Sequence, residues 1–199
     1  MTDHPARIAD DALSALFHEG ATTYAFTDEP VSDAELDELY ALANLGPTAL
    51  NAQPLRVVFA RGAGKDRVLP SISEFNRAKC ESAPVVAVLA YDADFHEFLP
   101  TVLPMMPNAK DNFADAEARA RFASDNAWLA AGYFILAARA LGLDAGPMTG
   151  FTRQGMDAEL FADSTWRSFL VVNLGHAAEG GSFPRKPRVG HDDAVIHLS

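Results

Sequence analysis

The sequence predicts a single α/β-type domain, on three observations. Its 199 residues suit one domain, and 49% of them are hydrophobic, enough for a buried core. Short β-branched runs recur at residues 55–60, 84–91 and 169–174. Stretches with helical apolar spacing lie between them, the longest at residues 114–141. No linker, repeat or low-complexity segment interrupts this alternation, so residues 1–199 read as one domain.

Taken in order, residues 11–17 predict a short helix with Leu13, Leu16 and Phe17 on one face. Ser32-Asp33-Ala34-Glu35 has the capping-box pattern, a hydroxyl at the N-cap and a carboxylate three residues later. Leu36, Leu39, Tyr40 and Ala43 give that helix its apolar stripe, and Gly46-Pro47 stops it. Residues 55–60 and 84–91 read as strands, with helical turns at 65–69 and 74–80 between them. Residues 99–112, with three prolines and Met105-Met106, read as an irregular loop or lid. The helix over 114–141 is charged in its first half and apolar almost all round in its second, which predicts burial on most sides. Its Ala130, Ala131 and Gly132 leave room for a close neighbouring helix. Strands at 143–146 and 169–174 follow, separated by a helix near 153–161.

Charge and cysteine content exclude several classes. Sixteen basic against 27 acidic residues leave a net charge of −11, which repels phosphate backbones and argues against nucleic-acid or anionic-membrane partners. Cys80 is the only cysteine, so no internal disulfide or multi-cysteine zinc site can form, and a cytoplasmic location fits. Residues 1–12 contain Arg7 but also Asp3, Asp10 and Asp11, unlike a secretory signal. The longest uncharged apolar run, residues 127–138, falls short of the ~20 residues a bilayer span needs.

Familiar catalytic motifs fail. In Gly62-Ala63-Gly64-Lys65, a phosphate loop would need glycine at Phe59 and a hydroxyl at Asp66, and a dinucleotide loop would need glycine at Arg67. It reads as a strand-to-helix turn. No nucleophile elbow exists, Cys80 lacks a partner signature, and His191-Asp192-Asp193 reads as a solvated turn rather than a metal site.

Four features remain, each open to two readings. The block from Gly46 to Pro54 offers Thr48, Asn51 and Gln53 either to a ligand or to its own backbone as an ordinary loop. The glycines of Gly146-Pro147-Met148-Thr149-Gly150-Phe151 let main-chain amides approach a flat ring, or simply make a turn. Asn76 is either a surface polar residue or a donor–acceptor pair suited to a pyrimidine-like edge. Arg185 and Arg188 are either a solvated tail or a clamp on an anion.

Their combination and order are more specific. G-P-T-x-x-N-x-Q-P after a helix, an asparagine before the second strand, L-G-L-D-A-G-P-M-T-G-F after the long helix and an R-x-P-R tail together resemble the nitroreductase family of FMN proteins. Within it, the chain resembles the branch of malonic semialdehyde reductases, or 3-hydroxypropanoate dehydrogenases, of the Rut pyrimidine-degradation type. The likeness runs from about Leu13 to Arg188.

This resemblance implies an α+β fold, a central and mainly antiparallel sheet flanked by helices in an intertwined homodimer with two FMN sites. Matched by position, Thr22, Thr23 and Tyr24 form the first FMN-contacting segment, with Tyr24 against the flavin edge. Pro47, Thr48, Ala49, Asn51 and Gln53 come from the second chain. Asn76 falls on the pyrimidine edge, Met148, Thr149 and Gly150 near N5 and O4, and Arg185 and Arg188 at the phosphate. The tail from about residue 180 packs on the second chain or closes the site. Two departures stand out. Many relatives carry arginine in the first segment, where this chain has Gly20-Ala21-Thr22-Thr23-Tyr24, and serine where it has Ala49. A lost buried guanidinium–phosphate pair costs a few kcal/mol, so the phosphate falls to Arg185 and Arg188.

The implied activity is ping-pong hydride transfer from NADH or NADPH, through flavin N5, to a small acceptor such as malonic semialdehyde, with Arg153 or Arg56 available to an acceptor carboxylate. No residue of the chain carries the hydride. The alternatives are a broad nitro-, quinone- or enone-reductase, or a member in which FMN binding has weakened or been lost.

Overall fold

Two strands buried on both faces organise the molecule. The structure is a computed structural model that describes residues 6–198, so the first five residues of the stretch compared above with a signal sequence lie outside the described residues. The N-terminal half contains α1 (Asp10–Leu13), α2 (Asp33–Ala43), β1 (Leu55–Ala60), α3 (Lys65–Val68), α4 (Glu74–Ser82), β2 (Val85–Asp92) and α5 (Leu99–Val102). The C-terminal half contains α6 (Ala116–Ala140), β3 (Asp144–Met148), α7 (Arg153–Leu160), β4 (Trp166–Gly175) and α8 (His191–Ala194).

All three strand pairings are antiparallel, in the order β1-β2-β4-β3. The fold is therefore α+β, which corrects the α/β reading of the alternating elements. β2 and β4 misled because they are nearly continuous apolar runs, a pattern common in parallel strands covered on both faces. Here helices cover both faces of an antiparallel sheet. On one face Val85, Ala87, Leu89, Val172 and Leu174 pack with Leu36 and Leu39 of α2 and Phe134 of α6. On the other, Val86, Val88 and Val171 pack with Val68, Ile72, Cys80 and Met156.

Local signals explain the helix ends. Ser32 and Glu35 form the expected reciprocal cap on α2, the Ser32 hydroxyl accepting from the Glu35 amide and the Glu35 carboxylate accepting from the Ser32 amide. The Ser32 hydroxyl also donates to that carboxylate, and this bond first, then the one from the Ser32 amide, favours the ionised carboxyl and holds its pKa below the usual value. Asp115 caps α6, accepting from the Ala118 amide. The Gly62–Gly64 segment is a turn, and Lys65 behind it donates to the carbonyls of Glu81 and Ala83.

Four expectations change. After Leu13, α1 widens into a π turn at Ser14–His18. Residues 99–112 are not irregular throughout: α5 and the 3₁₀ turns Phe95–Phe98 and Ala109–Phe113 bury Phe95, Leu99 and Ala109 in a satellite core. The strand expected at 143–146 runs to Met148, through Pro147 at the sheet edge. Within one chain, α6 is not buried on most sides: Trp128, Leu129 and Tyr133 are 42%, 48% and 39% exposed. Ala130 and Ala131 are buried in the core shared with α2, whereas the Gly132 Cα has open space beside it.

No helix among the described residues is long and apolar enough to cross a membrane. At the sheet's end, buried Asp92 accepts from Arg56 Nη2, the Thr165 hydroxyl and the Asp94 amide. Asp92→Ala would leave the largely buried Arg56 guanidinium with backbone carbonyls but no opposite charge. We expect a loss of about 3–5 kcal/mol, read as a lower urea midpoint with unchanged slope.

Candidate functional site

The first segment, β3 and the tail are laced together at the sheet edge. The Thr23 amide donates to the Ala145 carbonyl (3.1 Å) and the Tyr24 amide to the Gly181 carbonyl (2.7 Å). Thr23 is buried, with its hydroxyl 3.2 Å from that of Ser182. A Cβ at Gly146 would stand 2.5 Å from the Thr23 carbonyl oxygen, so the close approach requires glycine there. Tyr24 in turn packs on Phe183 at 4.9 Å between ring centres.

Beside this lacing lies a cleft of about 350 Å³. The 20–22 backbone and Tyr24 line it together with Arg139, Arg185, Lys186 and Arg188. Among the described residues four cations and no acid line this cleft, in a chain of net charge −11; Glu19 and Asp144 line the neighbouring hollow on the other side of Arg139. Arg185 Nη2 donates to the Gly20 carbonyl (2.6 Å) and to carbonyls of the π turn, where a cation complements the helix end. Among the described residues Arg188 donates only to tail carbonyls, that of Lys186 at 2.9 Å. Residues 20–24 carry no cation, and the cations beside them come from α6 and from the tail. Arg139, at the end of α6, was not among the residues picked out by sequence; only the fold brings it here.

A second pole lies across Tyr24. Asn76, buried on α4, donates from Nδ2 to the Gly150 carbonyl (3.3 Å) and accepts at Oδ1 from Lys79 Nζ (2.9 Å). Lys79 Nζ sits 4.7 Å from the Tyr24 ring centre and 4.4 Å from that of Phe75, a double cation–π contact. Lys79 was missed, although Asn76 and Lys79 stand three apart on one helix, where side chains meet. The Ser73 amide also donates to the Gly150 carbonyl (3.0 Å), fixing residues 149–151 against the start of α4. Met148 Sδ lies 3.9 Å from Cys80 Sγ, and Thr149 is exposed. Burial pushes the Cys80 thiol above its ordinary pKa, so it is not a ready nucleophile.

The 46–54 block stands apart. Leu50, Asn51 and Gln53 all have positive φ (56°, 51° and 44°), a concentration of backbone strain in residues other than glycine. Thr48 Oγ1 accepts from the Gln53 amide, Asn51 Nδ2 donates to the Val102 carbonyl, and Gln53 Nε2 donates to Asn51 Oδ1. Asn126 of α6, also missed by sequence, accepts from the Ala49 amide at 2.7 Å. The loop reading is therefore right about how the polar side chains are used within this chain. None of the block's hydrogen bonds among the described residues reaches Thr22–Tyr24, Asn76 or Gly150. Pro47 and Ala49 are exposed, and Gly46 rests on the Tyr133 ring, so the block adjoins the bare face of α6.

Of the two cations considered for an acceptor carboxylate, Arg56 is engaged by Asp92 and by the carbonyls of Gln53 and Leu55. Arg153 is exposed at the first turn of α7.

At the edge of the antiparallel sheet of this α+β fold, the cation-lined cleft has the chemistry to suit a small anionic ligand. The sequence profile of the nitroreductase family matches residues 21–176, and the chain belongs to that family. A Streptomyces coelicolor protein with the provisional name NADH dehydrogenase/NAD(P)H nitroreductase is 53% identical over 191 residues, 95% of each chain. Solved structures share the fold at lower identity. A nitroreductase-type protein from Exiguobacterium sibiricum, solved with FMN, superposes with a TM-score of 0.84 at 17% identity, covering 98% of this chain and 100% of that one. CLA-ER, an enone reductase of gut-bacterial fatty acid saturation, gives 0.83 at 19%, covering 97% and 100%.

Proposed function

We propose that this chain is an FMN-dependent NAD(P)H oxidoreductase that works as a homodimer and passes hydride to a small acceptor. The observation that carries the reading is the pair of poles joined by Tyr24: four cations at one end, with no acid among the described residues lining it, and Asn76 with Lys79 at the other. Guanidinium forks suit a phosphate monoester, and an amide beside an ammonium suits a pyrimidine edge with its row of acceptors and donors. The donor set therefore fits FMN.

In this reading Arg185 and Arg188 hold the phosphate over the 20–22 backbone, and Asn76 with Lys79 holds the pyrimidine edge. Met148, Thr149 and Gly150 present main chain to the N5 and O4 side. Pro47, Thr48, Ala49, Asn51 and Gln53 of a second copy complete the site. Bound FMN supplies the hydride chemistry, from NADH or NADPH to the acceptor. The chain's residues bind, orient and balance charge: Lys79, fixed by Asn76 and two rings, places a positive charge at the pyrimidine end.

For the acceptor we propose a semialdehyde such as malonic semialdehyde, on the sequence resemblance. The Streptomyces relative's name and the enone-reductase neighbour favour a second reading, broad nitro-, quinone- or enone-reduction. Steady-state NADH and NADPH oxidation with malonic semialdehyde and with a nitroaromatic separates the two. Turnover on the aldehyde supports the first. Turnover on the nitroaromatic with none on the aldehyde selects the second.

A further inference from the structure

We infer that Arg139 is a third guanidinium ligand of the phosphate monoester, filling from beneath the place left without a cation at residues 20–24. The inference rests on the FMN reading above and adds to it a residue from another part of the chain. Arg139 lies on the last turn of α6, yet its side chain lines the same cleft as Arg185, Lys186 and Arg188.

The local backbone is shaped around it. A Cβ on Gly20 would stand 2.5 Å from Arg139 Cζ, so glycine at that position is what lets the guanidinium reach the cleft. Its one hydrogen bond among the described residues runs from Nη1 to the Leu16 carbonyl (2.9 Å). A guanidinium has five N–H donors, so most of its donating capacity remains for a ligand. Burial, and then the positive charge of Arg185, lower its pKa from the ordinary value. Asp144 opposes that shift, but its carboxylate already accepts from the Ala177 amide at 2.8 Å. On the cleft side, where no acid stands among the described residues, Arg139 and Arg185 repel one another, and an anion between them relieves that repulsion. A dianionic phosphate monoester, with three acceptor oxygens, is the ligand class this arrangement favours.

The test compares FMN with riboflavin, which lacks the phosphate, by quenching of flavin fluorescence in the parent chain, Arg139→Met and Arg139→Lys. The parent should bind FMN more tightly than riboflavin. Arg139→Met should lower FMN affinity about 10- to 100-fold, the loss of a charge-assisted hydrogen bond or two, with riboflavin affinity unchanged. Arg139→Lys should keep part of the preference. A parent without preference overturns the phosphate reading and this inference with it. A parent with preference and an Arg139→Met variant that retains it overturn the role of Arg139 alone. If Arg139→Met does not fold, Gly20→Ala, which keeps the arginine but displaces its flexible end, must narrow the preference. Full preference in Gly20→Ala then contradicts the inference.

Discussion

Gly150→Val should cut FMN affinity roughly 30- to 1000-fold while the chain stays folded. A Cβ at this position would fall on Asn76 Nδ2. Asn76 is buried and cannot yield toward solvent, so it must leave the Gly150 carbonyl and carry Lys79 with it. The pyrimidine pole then loses two or three hydrogen bonds, at least one charge-assisted, worth about 2–4 kcal/mol together. The substitution lies at the end of β3, outside both main cores, so thermal stability without flavin should fall only modestly. Fluorescence titration with FMN and a melting curve read both quantities. Undiminished FMN affinity would place the flavin ring elsewhere.

Leu129→Glu should halve the particle size in solution and abolish FMN retention together. In one chain, Trp128, Leu129 and Tyr133 form an exposed apolar ridge on α6, next to exposed Leu45 and to Gly46, which lies on the Tyr133 ring. A carboxylate at a solvent-facing position of a lone chain changes little. Buried unpaired in an interface, it costs about 3–5 kcal/mol, enough to dissociate a dimer at micromolar concentration. The strained 46–54 block borders the same ridge, so on the proposed reading losing the second copy also removes that block from the site. Gel filtration with light scattering, followed by flavin absorbance of the peak, measures both. A parent chain that elutes as a monomer with FMN bound would refute the coupling.

Local signals in the sequence account for much of this picture. The Ser32–Glu35 cap and β1 at residues 55–60 follow from side-chain chemistry within a few residues, and the structure shows both. Strand order does not, because β2 pairs with β4 across roughly 80 intervening residues and an apolar run carries no direction. The apolar second half of α6 was legible, but its exposure was not, since composition alone cannot say which surface another molecule covers. Asn76, Gly150 and Arg185 were legible only in combination. Lys79 was within reach through its spacing from Asn76. Arg139 was not, because its approach to Gly20 depends on how α6 lies against the first segment. The positive φ values of Leu50 and Gln53 were equally hidden, because neither residue type favours the left-handed backbone that Asn51 adopts readily.

On the proposed reading this chain binds FMN in a site completed by a second copy. The most direct measurement of this is gel filtration with in-line light scattering and visible absorbance, on protein incubated with excess FMN. The expected result is a dimer carrying one flavin per chain, its absorption band co-eluting with the protein. A colourless protein peak, of whatever mass, would contradict it.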